Sequence, residues 1–374
     1  MMRPSVTCPL LQNVLFVVCL WPLGGLASGL PRPDTTGPNR QWSASIHAGL
    51  SVPDQVVPTT GKAPQGAEVT YSWLPSSQRA WEQCHCYAKV GVYANYYTFR
   101  NPVALGRTAG AGLFFEPLIR PRRRTYYSVR FSAGLTYLTR VYDPVTNPTN
   151  RYFSLPVSSQ IGAGLNLHHR LTDHVHLKLS GQYNHISNAG TRQPNQGMNL
   201  PSLGAGVVYL PRPVPYPATQ TWQPTRWSRP WFGRALLLGS VRVLPQTDRY
   251  REMVLPMFGV NAVGGYRLGA SHVLSAGVEW TDDRYFKEQI RRWRYADQRY
   301  RQGSLLAGYE FWHGRYIFTA HMAWNVIRPQ PYRPATYQKY GLLYRFGNGF
   351  TLGLNVKAYG DNTKGFQAVG GLTF

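Results

Sequence analysis

Residues 125–139, TYYSVRFSAGLTYLT, alternate without a break. Tyr127, Val129, Phe131, Ala133, Leu135 and Tyr137 fall on one parity, and Ser128, Arg130, Ser132, Gly134 and Thr136 on the other. Successive side chains of an extended strand point to opposite faces, so the pattern fits a strand with one apolar and one small or polar face. Residues 350–359 repeat it, with Phe350, Leu352, Leu354, Val356 and Ala358 against Thr351, Gly353, Asn355 and Lys357. About ten residues is the length at which a tilted strand crosses a bilayer. One such strand could equally bury its apolar face in a soluble sandwich. Repetition along the chain, with long and short connections taken in turn, points instead to an antiparallel, all-β transmembrane barrel of the outer-membrane type.

Sixteen candidate strands fall near 41–52, 67–75, 85–100, 107–119, 125–141, 155–170, 174–188, 200–211, 230–244, 254–269, 272–286, 303–313, 315–327, 337–347, 349–360 and 365–374. With the first strand rising from the inner side, odd-to-even connections face outside, including the long KEQIRRWRYADQRYRQG and IRPQPYRPATYQ, while GASH, WHGR and FGNG make tight inner turns. Two inner connections break the rule: SSQRAWEQC, and the Pro-rich residues 211–228 between the eighth and ninth strands. That stretch is either a linker between two eight-stranded barrels or a long connection inside one larger barrel. The reading favours one barrel, because the later strands carry no closing signal of their own. The organisation is then a leader at 1–28, a barrel region at 29–211, a Pro-rich connection at 212–228, and strands at 229–374 that complete the barrel.

The leader has Arg3 at its positive end, an apolar stretch from Val14 to Trp21, and small residues from Gly25 to Ser28, the pattern of an export signal. Past it only Cys84 and Cys86 remain, too few ligands for a zinc site and consistent with a local disulfide or two free thiols. The 40 Lys and Arg against 16 Asp and Glu, a formal charge of +24, call for a polyanion. For an exported chain without a nucleic-acid motif, phosphorylated lipid is the natural one and no nucleic acid is expected.

Residues 174–188, HVHLKLSGQYNHISN, put Val175, Leu177, Leu179, Gly181 and Tyr183 toward lipid, and His185 and Ser187 continue that parity at the outer end. Across the connection, Asn199 shares the parity of Leu203, Ala205, Val207 and Tyr209. Polar groups aimed at lipid are costly at mid-depth and cheap near the interface. They are either rim residues touching headgroups or a nucleophile, a base and an orienting partner placed where acyl chains join their sugar.

HISNAGTRQPNQGMN, with its His-x-Ser-Asn and Pro-Asn-x-Gly, together with YDPVTNPTNRYFS at 142–154, resembles the lipid A 3-O-deacylases of the PagL type, and the later strands resemble the extension of the longer, acyloxyacyl hydrolase members. The resemblance implies an outer-membrane esterase that removes an acyl chain from the 3-position of lipid A within lipopolysaccharide, without metal or cofactor. It places the nucleophile at Ser187, the general base at His185 and an oxyanion-hole residue at Asn195, with Asn188 and Gly190 close enough to help. The acidic triad position of the family is Asn199 here. That leaves a working variant triad or an inactive relative that keeps the motif as a porin-like channel or structural barrel. GFQAVGGLTF, ending at Phe374, resembles the C-terminal signal read by the barrel-assembly machinery. Arg291, Arg292 and Arg294, with Arg299, Arg301, Trp293, Tyr295 and Tyr300, fall on an expected outer loop and suit lipid phosphate or simple solvation.

Overall fold

A computed structural model describes residues 39–50, 63–77, 81, 86–216, 230–269, 271–332, 334–359 and 362–374. The expected leader and Cys84 lie outside these residues, and Cys86 is disulfide-bonded. The first eight strands are β1 (Asn39–Gly49), β2 (Gln65–Leu74), β3 (Tyr87–Thr98), β4 (Arg107–Ile119), β5 (Thr125–Leu138), β6 (Val157–Arg170), β7 (Val175–Ser187) and β8 (Met198–Tyr209). Each pairs antiparallel with the next, and β8 returns to β1 with Trp42 opposite Tyr209 and Ala48 opposite Leu203.

The second eight are β9 (Trp231–Leu244), β10 (Met253–Arg267), β11 (His272–Asp283), β12 (Arg301–His313), β13 (Tyr316–Ile327), β14 (Thr336–Arg345), β15 (Phe350–Tyr359) and β16 (Asn362–Thr373). They close on themselves through β16 and β9. The single-barrel expectation is therefore corrected: the sixteen strands form two closed barrels of eight. The physical reason is that closure is a pairing between the first and last strands, which no local pattern encodes. The terminal strand supplies it in the second barrel, where Phe374 and Gly233 exchange both backbone hydrogen bonds at 2.8 Å.

The alternation holds in three dimensions. In β5, Tyr127, Phe131, Leu135 and Tyr137 are exposed to the outside while Ser128, Arg130 and Thr136 are buried in the lumen. Leu165, Leu179 and Leu203 continue the exposed apolar band on the first barrel, as do Leu237, Phe258 and Leu305 on the second. An eight-stranded barrel is just wide enough for its own side chains, and buried charges there must be paired. Arg130 binds both oxygens of Glu68 at 2.7 and 3.1 Å, and Lys89 meets Glu116 at 2.5 Å. In the second barrel Arg234 and the Trp312 indole share Glu310, and Lys339 and Tyr337 share Glu279. The inner mouth of the first barrel is closed by Leu74, Tyr87, Leu118 and Tyr126, onto which Val214 and Tyr216 of the Pro-rich stretch pack.

A second correction concerns the expected loop after the eleventh strand, which opens with helix α1 (Arg284–Trp293). Asp283 caps it by accepting from Tyr285 N at 3.0 Å, Phe286 and Ile290 bury one face, and Arg294 ends it in the left-handed region with φ 51°.

Candidate active site

The outer end of the first barrel is packed from within. Ile186, pointing into the lumen and fully buried, joins Phe99, Leu105, Leu138, Tyr152 and Phe153. Because alternate residues of a strand face opposite ways, locking Ile186 inward holds both His185 and Ser187 outward. On this outer wall they are nonetheless covered, at 7% and 2% exposure. A strand rise of about 3.3 Å per residue puts their Cα atoms about 6.6 Å apart on one face, within reach of each other's side chains.

His185 stands directly opposite Asn199 in the β7–β8 ladder, and Nδ1 of the ring lies 2.7 Å from Oδ1 of the amide. An amide oxygen only accepts, so Nδ1 carries the proton and Nε2 is the basic nitrogen. The ring is backed by Gly197, whose φ is +68° and where a Cβ would stand 2.8 Å from Cε1 of His185. Glycine alone satisfies both the backbone and the space there.

The two motif stretches meet around Asn188. Its Nδ2 donates to Ser154 Oγ and to Arg192 O, each at 2.8 Å, and its Oδ1 accepts from Gly190 N at 3.0 Å. Its own N–H donates to Asn195 Oδ1 at 3.1 Å. Gln196 N and Gly197 N reach Arg151 O and Tyr152 O at 3.1 and 3.3 Å. The 142–154 stretch is itself fastened by Asn147 and Asn150, which both donate to Ala104 O, and by Asp143, which accepts from Val145 N and Thr146 N. Those backbone donors hold the Asp143 carboxyl below its ordinary range.

Of the polar groups singled out in the sequence, His185, Ser187, Asn188, Gly190, Asn195 and Asn199 are brought together. The N–H groups of Asn188 and Gly190 are spent inside the loop, whereas Ala189 N, in the left-handed region at φ +59°, points at Ser187 Oγ from 3.4 Å. Sequence reasoning missed Ala189, since nothing in an alanine marks a turn. It also missed the exposed Arg151 and Arg192, whose backbones are tied to this loop. Arg291 and Arg292 sit on the second barrel in α1. Arg292 is buried against Glu288, Pro245 O and Arg251 O, Arg291 grips Glu288 at 2.6 and 2.8 Å, and Arg294 is exposed at the cap. The hydrogen bond from Arg291, joined by that from Arg292, pulls the Glu288 carboxyl down to about 2.

Below His185 the outer wall carries an apolar groove of about 410 Å³, lined by Ala163, Gly164, Leu165, Gly181, Tyr183 and Leu203 among others. Small residues on β6 and β7 make the floor, and Leu165 and Leu203 make the rims.

No curated protein matches the chain. Among solved structures, it is similar to the FrpB iron transporter from Neisseria meningitidis (F5-1 variant), at 10% identity over 87% of this chain and 58% of that one, with a TM-score of 0.25. It is similar also to the beta domain of the Bordetella autotransporter BrkA, at 9% identity over 90% and 99% with a TM-score of 0.24. The translocator domain of the autotransporter NalP from Neisseria meningitidis matches at 10% identity over 97% and 96%, with a TM-score of 0.18. The family model described as lipid A 3-O-deacylase (PagL) matches residues 65–208, and that described as acyloxyacyl hydrolase, C-terminal domain (PagL_C), matches residues 232–365. One match falls on each barrel, and the chain therefore belongs to the lipid A 3-O-deacylase (PagL) family, as an outer-membrane member with the acyloxyacyl hydrolase C-terminal domain.

Proposed function

We propose that the first barrel is a serine esterase that removes the acyl chain from the 3-position of lipid A in the outer leaflet. The observation that carries this is the 2.7 Å bond between His185 Nδ1 and Asn199 Oδ1, formed on the membrane-facing side of the wall beside Ser187. In this reading Nε2 of His185 takes the proton of Ser187 Oγ as the oxygen attacks the ester carbonyl. Negative charge gathers on the carbonyl oxygen and is met by Ala189 N–H and the amide of Asn195, while Asn188 and Gly190 position the loop that aims them. His185 then gives its proton to the departing sugar oxygen, which leaves as a hydroxyl; water, deprotonated by the same nitrogen, attacks the acyl carbon, and the proton passes to Ser187 Oγ as the fatty acid is released. The apolar groove below His185 takes the acyl chain, at the depth where chains leave their sugar. Arg151 and Arg192, exposed beside the loop, suit the phosphates of the substrate, and Arg294 and Arg291 on the second barrel face the same leaflet. The terminal strand ending at Phe374 is the segment we assign to recognition by the barrel-assembly machinery.

Paired charges filling both eight-stranded lumens speak against the porin-like alternative. The test is mass spectrometry of lipid A from cells expressing the wild type or Ser187→Ala. Loss of one hydroxyacyl chain with the wild type alone is expected. Unchanged lipid A, with the wild type folded in the outer membrane, defeats the reading.

A further inference from the structure

The second barrel closes by itself, fills its own lumen, and carries no His-x-Ser pair of its own. Its contacts with the first barrel say what it does. On the outer walls of both, where lipid would otherwise lie, Phe115 of β4 stacks on Phe318 of β13 with centroids 4.9 Å apart and planes at 20°. His313 and Phe311 of β12 stand 5.1 and 6.3 Å from Phe115, and Phe131 of β5 stands 6.0 Å from Phe318. All these residues lie toward the inner ends of their strands or at mid-wall. At the outer end the barrels meet again, at the catalytic loop: a Cβ on Gly365 of β16 would stand 3.6 Å from the carbonyl oxygen of Ala189. Strands of a closed barrel tilt by about 35–45°, so the outer end of β7 is carried round toward the line of the inner end of β4. One seam therefore accommodates both contacts.

We propose that the second barrel is a working part of the hydrolytic site, with Gly365 a positioning residue for the nucleophile loop. This rests on the reading of Ser187 as the nucleophile. Ala189 is a non-glycine residue in the left-handed region; its N–H, in the 188–189 peptide, points at Ser187 Oγ, while its carbonyl belongs to the adjoining 189–190 peptide, whose N–H is held by Asn188 Oδ1. Such a conformation persists only where its surroundings hold it. Asn188 holds the loop from the first barrel, and Gly365 of β16 comes within a side chain's reach of the Ala189 carbonyl from the second. Gly365, at φ +141°, occupies backbone space that side chains rarely adopt, and a larger residue there would press on the carbonyl of the 189–190 peptide and, through the Ala189 backbone angles, turn the neighbouring N–H away from Ser187. The seam thus sets the aim of the oxyanion donor.

The experiment uses the full-length protein with Gly365→Leu, Gly365→Ala and, at the far end of the seam, Phe318→Ala. Heat-modifiable electrophoretic migration serves as the check that each barrel has folded. Lipid A hydrolysis in detergent micelles gives kcat and KM, and amide hydrogen exchange follows residues 188–197. A misplacement near 1 Å costs about 100-fold. Gly365→Leu is expected to lower kcat about 10- to 100-fold with KM within about twofold, and to speed exchange in 188–197. Gly365→Ala should recover part of the rate, and Phe318→Ala should speed the same amides. Folded Gly365→Leu with wild-type exchange in 188–197 overturns the proposal whatever the activity. Wild-type protein that leaves lipid A intact, or Ser187→Ala that still hydrolyses it, defeats the esterase reading instead.

Discussion

Replacing Asn199 separates orientation from charge in this site. In the serine-protease triad an amide in place of the acid costs about 10⁴ in rate because it stabilises the wrong imidazole tautomer. In the mechanism proposed for Ser187 and His185, the amide oxygen facing Nδ1 at 2.7 Å holds the productive tautomer, and what that mechanism lacks is only a full negative charge behind the imidazolium. A neutral hydrogen bond nets about 0.5–1.5 kcal/mol and one to a charged group about 1.5–3 kcal/mol. Asn199→Asp should therefore add about 1–1.5 kcal/mol to the transition state, or about five- to twelvefold in kcat at 1.36 kcal/mol per decade. Asn199→Leu leaves the ring N–H without its acceptor, a cost of about 1–3 kcal/mol, and should slow hydrolysis about five- to 150-fold. The assay is the initial rate of hydroxyacid release from lipid A micelles, quantified by mass spectrometry at several substrate concentrations. A folded Asn199→Leu protein working at the wild-type rate would show that Asn199 does not orient His185. Asn199→Asp slower than wild type would show that charge, at this half-buried position near the interface, costs more than it returns.

The space behind the imidazole gives a sharper steric test: Gly197→Ala should push the His185 ring and strain a positive-φ turn, cutting kcat at least tenfold while the barrel still folds, which kinetics with heat-modifiable migration would check. Reversing Arg151 and Arg192 to Glu should raise KM for bis-phosphorylated lipid A at low salt, with less effect on a dephosphorylated substrate and at high salt; equal effects on both substrates would remove them from phosphate recognition. Glu288 pairs within α1 with Arg291 and with Arg292, the residue that fastens the helix to Pro245 O and Arg251 O, and its pKa is depressed from the ordinary 4.5 to about 2. Its support is complete above pH 4.5 and is lost as pH falls toward 2, so proteolysis within α1 should rise across that window and not above it.

Much of this protein was legible because a barrel wall is written locally. Tyr127 to Tyr137 and Phe350 to Ala358 alternate in the sequence as they do in space, and the expected strands lie within a few residues of the observed ones. The outward parity of His185, Ser187 and Asn199 followed from the same counting, and their meeting across the β7–β8 ladder follows from register. Helix α1 was written locally too, in the Asp283 cap and the Phe286–Ile290 spacing, but a charged stretch with one apolar pair reads equally as a loop.

By itself the sequence determined the strand count, the face each side chain takes and the family motif, because each depends on neighbours one to a few residues apart. Tertiary structure alone decided that β8 returns to β1 and β16 to β9, making two barrels instead of one. It also decided that Ser154 meets Asn188, that Ala189 supplies the N–H aimed at Ser187, and that Gly365 lies against Ala189. These are encounters between residues 2 to 176 positions apart, fixed by closure and side-by-side packing. Even Ala189, a near neighbour of Ser187, depends on them, because a left-handed alanine is held by what surrounds it.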